Sequence, residues 1–348
     1  MIEFLAQYGL FLAKALTVVV AVAAIAIVIA VTARREKREA HLKVKHLNAR
    51  YRELKETLEH ELLSKKQIKA KLKARKKEDK AKAKASDRAD TDTTQKRVFV
   101  LNFRGDIKAS AVSGLREEIT AVLGLAQSTD EVVVRLENPG GLVHEHGLAA
   151  SQLMRLRERD VPLTVAVDKV AASGGYLMAC VANRILAAPF AVLGSVGVLM
   201  QLPNLHRVLD AHGVDFEQIK GGEYKRTLTV FGKNTDADRA KAQADVEDTH
   251  LLFKDFVKAQ RPQLDMERIA TGEHWYGLRA LELELCDRLT TSDDYLLEQS
   301  ESAEVYEVTM EAPKHLSEKI AAAIQTGLDG LLGLWSERKQ RDRYAMMP

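Results

Sequence analysis

The stretch L-T-V-A-V-D-K-V-A-A-S-G-G-Y-L-M-A at residues 163–179 decides the fold. Its first five residues are an unbroken apolar run of strand length, and residues 176–183 read as a helix, so Ser173 falls on the turn between them. A hydroxyl on such a turn stands at a helix N-terminus, where unpaired backbone N–H groups can stabilise a developing negative charge. An isolated serine before a helix is more often only its N-cap. The remainder of the chain has to decide between cap and nucleophile.

Working outward, the same strand–helix alternation continues towards the N-terminus. V-F-V-L-N-F (98–103) and E-V-V-V-R-L (131–136) predict strands, with helices from about 111 to 126 and from about 145 to 157. Near-continuous apolar strands alternating with helices predict an α/β fold whose parallel sheet is covered by helices. Ligands then bind at the carboxyl ends of the strands. Two loops lie there: the Ser173 turn, and E-N-P-G-G at 137–141. The paired glycines of the second can present N–H groups outward, as an oxyanion hole requires, although N-P-G-G alone is equally a plain turn. Gly140 or Gly141 together with Gly174 would be the donors facing an oxyanion at Ser173, and a reaction on an acyl group is the natural inference.

A serine nucleophile needs a base. His206, His212, His250, His274 and His315 lie downstream, but none sits in a recognisable motif, and A-x-S-x-G lacks the first glycine of the hydrolase elbow. A neutral lysine is the alternative. G-G-E-Y-K at 221–225 follows a strand-like run at 214–219 and sets Lys225 just beyond a glycine turn, with Lys220 and Arg226 as competitors. A lysine that acts as base near neutral pH must shed its proton about a thousandfold more readily than in water, about 4 kcal/mol of desolvation and positive neighbours.

The flanks are different in kind. Residues 15–32 carry no charge, and with the apolar residues before Lys14 they predict an uncleaved transmembrane helix over 1–33, because the positive charges follow the apolar run. Arg34, Arg35, Lys37 and Arg38 would place the rest of the chain in the cytoplasm. The net charge of +3 conceals an asymmetry: residues 33–85 hold 20 Lys/Arg against 8 Asp/Glu, a net +12, and residues 86–348 carry the compensating −9. No aromatic residue interleaves with the lysines beyond residue 64, so residues 34–96 predict a charged helical stalk and linker that feels anionic lipid, not a nucleic-acid site. Leu47, Tyr51, Leu54 and Leu58 form one short apolar stripe on that helix. The globular domain spans 97–312, with a last strand near 304–310. Residues 313–348 predict an amphipathic helix and tail. The two cysteines, Cys180 and Cys286, have no metal-ligand spacing and read as core residues; no metal or other cofactor is expected.

K-V-A-A-S-G-G-Y (169–176), E-N-P-G-G (137–141), G-S-V-G-V (194–198), G-G-E-Y-K-R (221–226) and E-H-W-Y-G-L-R-A-L-E (273–282) resemble, in order and spacing, the signal peptide peptidase A family of membrane-anchored serine peptidases. The likeness is strongest to the branch with an N-terminal anchor and basic stalk. It implies a ClpP/crotonase-like spiral α/β fold and hydrolysis of peptide bonds, such as those of signal-peptide remnants, by a Ser/Lys dyad. Ser173 would be the nucleophile and Lys225 the general base, with Ser195 orienting the lysine. Asn138 stands where the family often has Ser, and Glu137 where Asn is common, which puts any side-chain role there in question. Single-copy members of the family complete the dyad across protomers of a ring, so the resemblance implies a homo-oligomer at the inner membrane. Two rivals use parts of the same pattern: an acyl-CoA hydratase or isomerase of the same superfold, and a non-catalytic membrane scaffold.

Overall fold

The computed structural model describes residues 41–71, 73 and 96–311, together with residues 9, 11, 12 and 14–19. Residues 42–310 form one compact unit; residues 1–41 and 311–348 are grouped as a second, few of whose residues are described.

In chain order the elements are β1 (His41–His46), α1 (Leu47–Leu62), β2 (Arg97–Arg104), α2 (Val112–Leu123), β3 (Glu131–Glu137), α3 (Val143–Arg157), β4 (Leu163–Val167), β5 (Val170–Ala172), α4 (Gly174–Ala179), β6 (Arg184–Ala187) and β7 (Val192–Gly194). They continue as α5 (His206–Ala211), α6 (Asp236–Gln260), α7 (Met266–Ile269), β8 (His274–Tyr276), α8 (Gly277–Glu282), β9 (Arg288–Leu289), α9 (Ser292–Gln299) and β10 (Glu304–Glu311). The main sheet has the order β1-β10-β2-β3-β4-β6-β9, and a second sheet the order β5-β7-β8. From β10 to β9 every pairing is parallel; in the small sheet β5 and β7 are parallel and β8 is antiparallel. The expected α/β architecture is therefore present.

Side-chain alternation explains why the central strands are apolar throughout. Phe99, Leu101, Phe103, Val132, Val134, Val165 and Val167 face one core, packed with residues of α2, α3 and α4. Val98, Val100, Val133 and Ala166, one residue out of phase, face a second core with Leu47, Tyr295 and Leu296. A strand buried on both sides has no polar face to show. Cys180 and Cys286 are both buried, and burial pushes each thiol up to about 12, so both stay protonated core groups.

Two sequence expectations need correction here. Residues 41–46, expected as part of a helical stalk, form strand β1 of the main sheet. H-L-K-V-K-H alternates polar and apolar residues with the period of a strand, a signal that the high charge concealed. The stripe at Leu47 and Tyr51 does lie on a helix, but it packs on the sheet: Leu47 is in the second core and Tyr51 lies against it. Asn48 pins this segment, donating from Nδ2 to the carbonyls of Ser300 (3.0 Å) and Ala303 (2.9 Å) and accepting the Val305 N–H at 2.7 Å. Residues 214–219 form no strand; Val214, Phe216 and Ile219 are exposed and no strand pairs with them. The predicted strand near 304–310 is β10, whereas the amphipathic segment of 313–348, the end of the basic stalk at 74–85 and the linker at 86–95 lie outside the described residues.

Arg261, at the C-terminus of α6, ties that helix to the sheet. Its side chain is almost fully buried and donates to both carboxylate oxygens of Asp287 (2.9 and 2.7 Å) and to the Glu284 carbonyl (2.9 Å). Asp287 in turn accepts the Ile185 N–H of β6 at 2.6 Å. Removing one member of such a pair leaves a charge without its partner. Arg261→Ala is expected to cost about 3 kcal/mol of unfolding free energy, read by urea denaturation.

Candidate active site

The site begins where β3 stops. Asn138 leaves the main sheet and forms a bridge with Ala171 of β5: its N–H donates to the Val170 carbonyl (2.8 Å) and its carbonyl accepts the Ala172 N–H (3.1 Å). The glycine loop is thereby fastened alongside the strand that leads into Ser173. Gly140, at φ +94°, lies so close to that turn that an added Cβ would be 2.8 Å from Ser173 Cβ, 2.8 Å from the Ala172 carbonyl oxygen and 2.9 Å from Gly174 N. Both the positive φ and the close approach require glycine.

Ser173 occupies a sharp strand-to-helix turn, with φ 51° and ψ −120°. For a residue with a side chain this is a strained conformation, worth roughly 1–3 kcal/mol, and it persists only when its surroundings hold it. They do so through the Ser173 N–H, which donates to the Gly194 carbonyl (2.8 Å), and the Ser173 carbonyl, which accepts from Leu177 N–H (2.9 Å). The side chain makes no capping bond to α4. The geometry is that of a nucleophile elbow without its customary first glycine, since Ala171 fits as a core residue of β5.

Ser195 sits at the equivalent place on the neighbouring strand. Ala172 and Gly194 are paired in the parallel β5–β7 ladder, so Ser173 and Ser195 come next, side by side, both at positive φ. The Ser195 N–H donates to the Glu273 carbonyl at 2.6 Å. Both serines line a cleft of about 760 Å³. The cleft is also lined by residues 139–143, by Gly197, Val198 and Leu199, and by His250, Thr271 and Gly272. His250 lies with Nε2 3.3 Å from the Val196 carbonyl oxygen.

The structure separates the oxyanion-donor candidates. Gly140 N–H is already spent on Asn138 Oδ1, at 2.9 Å, which removes it from the expected set. Leu142 N–H donates to the Ile107 carbonyl at 2.9 Å. Among the described residues no acceptor meets the N–H of Gly141 or that of Gly174. The Asn138 side chain is thus occupied, contrary to the doubt that its departure from the family pattern raised.

Lys225 is not in the cleft. It is exposed, in the segment between α5 and α6, with its N–H directed to the Gly222 carbonyl at 3.3 Å. The adjoining Tyr224 ring lies under Lys241 of α6, with the ammonium 5.3 Å from the ring centroid. Within one chain, therefore, Ser173, Ser195, Gly141 and Gly174 meet, and Lys225 stands elsewhere. Sequence reasoning passed over His146, which is fully buried beside this loop; its place in the first turn after N-P-G-G was the available signal. Among the described residues no group of His, Cys, Asp or Glu is arranged to hold a metal ion.

Comparison with known proteins shows the family. The model of the peptidase family S49 N-terminal region matches residues 3–153, and that of peptidase family S49 matches residues 155–306. The "Probable protease SohB" of Haemophilus influenzae is 44% identical over 347 residues, covering 98% of each chain. Its counterpart in Buchnera aphidicola subsp. Acyrthosiphon pisum is 48% identical over 238 residues, covering 68% of this chain and 71% of that one. Among solved structures, a serine-to-alanine mutant of the 1510-N membrane-bound stomatin-specific protease aligns at 14% identity and a TM-score of 0.40, covering 64% of this chain and 100% of that one. On the strength of the full-length similarity, the chain belongs to peptidase family S49 and is a serine peptidase.

Proposed function

We propose that this chain is a membrane-anchored endopeptidase in which Ser173 attacks the peptide carbonyl and Lys225 of a neighbouring protomer is the general base. The observation that carries the reading is the closure of the glycine loop on the Ser173 turn, with Gly140 packed against Ser173 Cβ. Neutral Lys225 takes the Ser173 proton as Oγ attacks, and the N–H groups of Gly141 and Gly174 receive the oxyanion. The tetrahedral intermediate collapses, the C–N bond breaks, and the amine leaves with the proton that the lysine returns. Water, deprotonated by the same lysine, then adds to the acyl carbon, the C–Oγ bond breaks to release the acid, and the lysine returns the proton to Ser173 Oγ. Ser195, beside Ser173, would accept or donate a bond that orients the lysine.

Assembly in trans accounts for the place of Lys225. The segment around it exposes Leu199, Met200, Leu205, Val208, Phe216, Ile219 and Phe231, an apolar content that a monomer rarely leaves in water. In this reading the body has the ClpP/crotonase-like spiral fold and packs as a closed ring. No carboxylate lines the cleft among the described residues, which disfavours the hydratase or isomerase alternative, whose base would be acidic.

The anchor is residues 1–33, followed by a basic connection, the peptidase body and the C-terminal tail from 313. No helix among the described residues is long and apolar enough to cross a membrane, and most of the 15–32 run lies outside them. What supports the anchor is that run's lack of charge, and the exposure of Leu16, Val18 and Val19 where it is described. The location is then the inner membrane, in contact with the lipid bilayer. Substrates would be peptides at that membrane, signal-peptide remnants among them.

A fluorophosphonate probe tests the chemistry. Wild type is expected to be labelled on Ser173, Ser173→Ala not at all, and Lys225→Ala far more slowly. Labelling that survives Ser173→Ala overturns the assignment.

A further inference from the structure

The loop that supplies Gly141 has little help from the sheets once it passes Asn138. It turns through Pro139 and two glycines, at φ +94° and +158°. Two bonds hold the peptides on either side of the Gly141 N–H: Gly140 N–H to Asn138 Oδ1, and Leu142 N–H to the Ile107 carbonyl. With both neighbours tied, the donor between them is the one left for a ligand. The first of these ties depends entirely on one side chain.

That side chain is itself held. Asn138 is fully buried; its Oδ1 also lies 3.2 Å from His146 Nε2, and its Nδ2 donates to Met178 Sδ at 3.2 Å. The amide cannot be turned over without facing its NH2 group towards the Gly140 N–H. His146, on α3, is fully buried too, with Nδ1 3.0 Å from the Leu142 carbonyl oxygen. Its ring also packs on Gly174: a Cβ added there would lie 2.5 Å from His146 Cγ and 2.7 Å from Cδ2. One imidazole thus abuts both halves of the oxyanion pocket, the Gly141 half through Asn138 and the Gly174 half by direct packing. His146 does not line the cleft, and both its ring nitrogens face protein oxygens, of which a neutral ring donates to one; the tautomer with its proton on Nε2 is the one that bonds Asn138 Oδ1. Buried amide and imidazole groups incur a desolvation cost that their bonds merely offset; what such a network supplies is direction.

We propose that Asn138 and His146 are positioning residues of the oxyanion hole. Asn138 consumes the Gly140 N–H and so leaves that of Gly141 aimed into the cleft, while His146 fixes the Asn138 rotamer and the seat of Gly174. The pair acts through these backbone donors and touches no reacting atom. The inference rests on the reading of Ser173 as nucleophile.

Steady-state kinetics on a peptide substrate test it, using the full-length protein in detergent with thermal unfolding followed in parallel. Asn138→Ala is expected to lower kcat about a hundredfold with KM within about threefold of wild type, the signature of a contact made in the transition state. Asn138→Asp, whose carboxylate still accepts both bonds, is expected to keep kcat within about tenfold of wild type. His146→Phe fills the space without the bond to Asn138 and is expected to lose about tenfold in kcat; His146→Asn, polar but too short to reach Asn138, gives the same loss and serves if the Phe variant does not fold. The proposal is overturned if kcat of a folded Asn138→Ala or His146 variant stays within twofold of wild type, if the loss appears in KM alone, or if Asn138→Asp falls as far as Asn138→Ala. Ser173→Ala, run alongside, separates the two levels. Turnover that survives it refutes the nucleophile, whereas an inactive Ser173→Ala beside fully active Asn138 and His146 variants refutes the positioning role alone.

Discussion

Co-assembling Ser173→Ala with Lys225→Ala chains is expected to restore peptidase activity that neither variant has alone. Each variant by itself lacks one member of every dyad, and loss of a catalytic nucleophile or base costs of the order of 10³-fold or more. In a mixed ring the outcome depends on where the two halves of a site come from. If Ser173 and Lys225 of one chain served the same site, no mixture could contain an intact dyad. If the lysine comes from the next protomer, a site is whole whenever a Lys225→Ala chain lends its serine to a Ser173→Ala neighbour. In a random equal mixture that is half of one half, so about a quarter of the sites and of wild-type turnover return. Co-expression with two different affinity tags, purification through both and a peptide-cleavage assay make the measurement. A doubly tagged, assembled protein without activity would sink the shared site.

Gly140→Ala is expected to destroy activity and weaken the fold together. At φ +94° a side chain is strained before any contact is counted, and the new methyl would press on Ser173 Cβ, the Ala172 carbonyl and Gly174 N at 2.8–2.9 Å. Strain and overpacking together amount to about 3 kcal/mol. The atoms that must yield include the Cβ of Ser173, the proposed nucleophile, and the N of Gly174, a proposed oxyanion donor, so kcat is expected to fall at least about a hundredfold, since a misplacement near 1 Å is enough for that. Gly147→Ala is the control. It lies in α3 with nothing within 4 Å of the added Cβ, and should raise stability by about 0.5–1 kcal/mol with kcat unchanged. Wild-type kcat in Gly140→Ala would show that the loop's contact with Ser173 is not catalytic.

Particular residues explain how far the fold and site were legible. Strands 98–103, 131–136 and 163–167 could be read because burial on both faces makes them uninterruptedly apolar. V-A-A at 170–172 could not: three small residues carry no period, and they are extended because Asn138 and β7 hydrogen-bond to them. Ser173 and the paired glycines were visible as a motif. That the Gly140 N–H is engaged and the Gly141 N–H is not could not be read, because it depends on the Asn138 side chain, which His146 meets from eight residues further on. Lys225 was found by resemblance, and its distance from the cleft within one chain has no local sequence signal at all. Residues 41–46 were misread because their partner, β10, lies some 260 residues further along.

That last pairing bears on how the chain is made. Among the described residues β1 is the first strand in chain order, and its neighbour in the sheet is β10, the last of them. Asn48 cannot find the Ser300 and Ala303 carbonyls, nor Leu47 its place against Val305, until synthesis of the body is almost complete. Closing so long a loop costs more entropy than any other contact in the sheet, though only logarithmically more. The contacts of residues 41–62 need residues 300–305, so this segment can latch onto the sheet only when the chain extends at least that far.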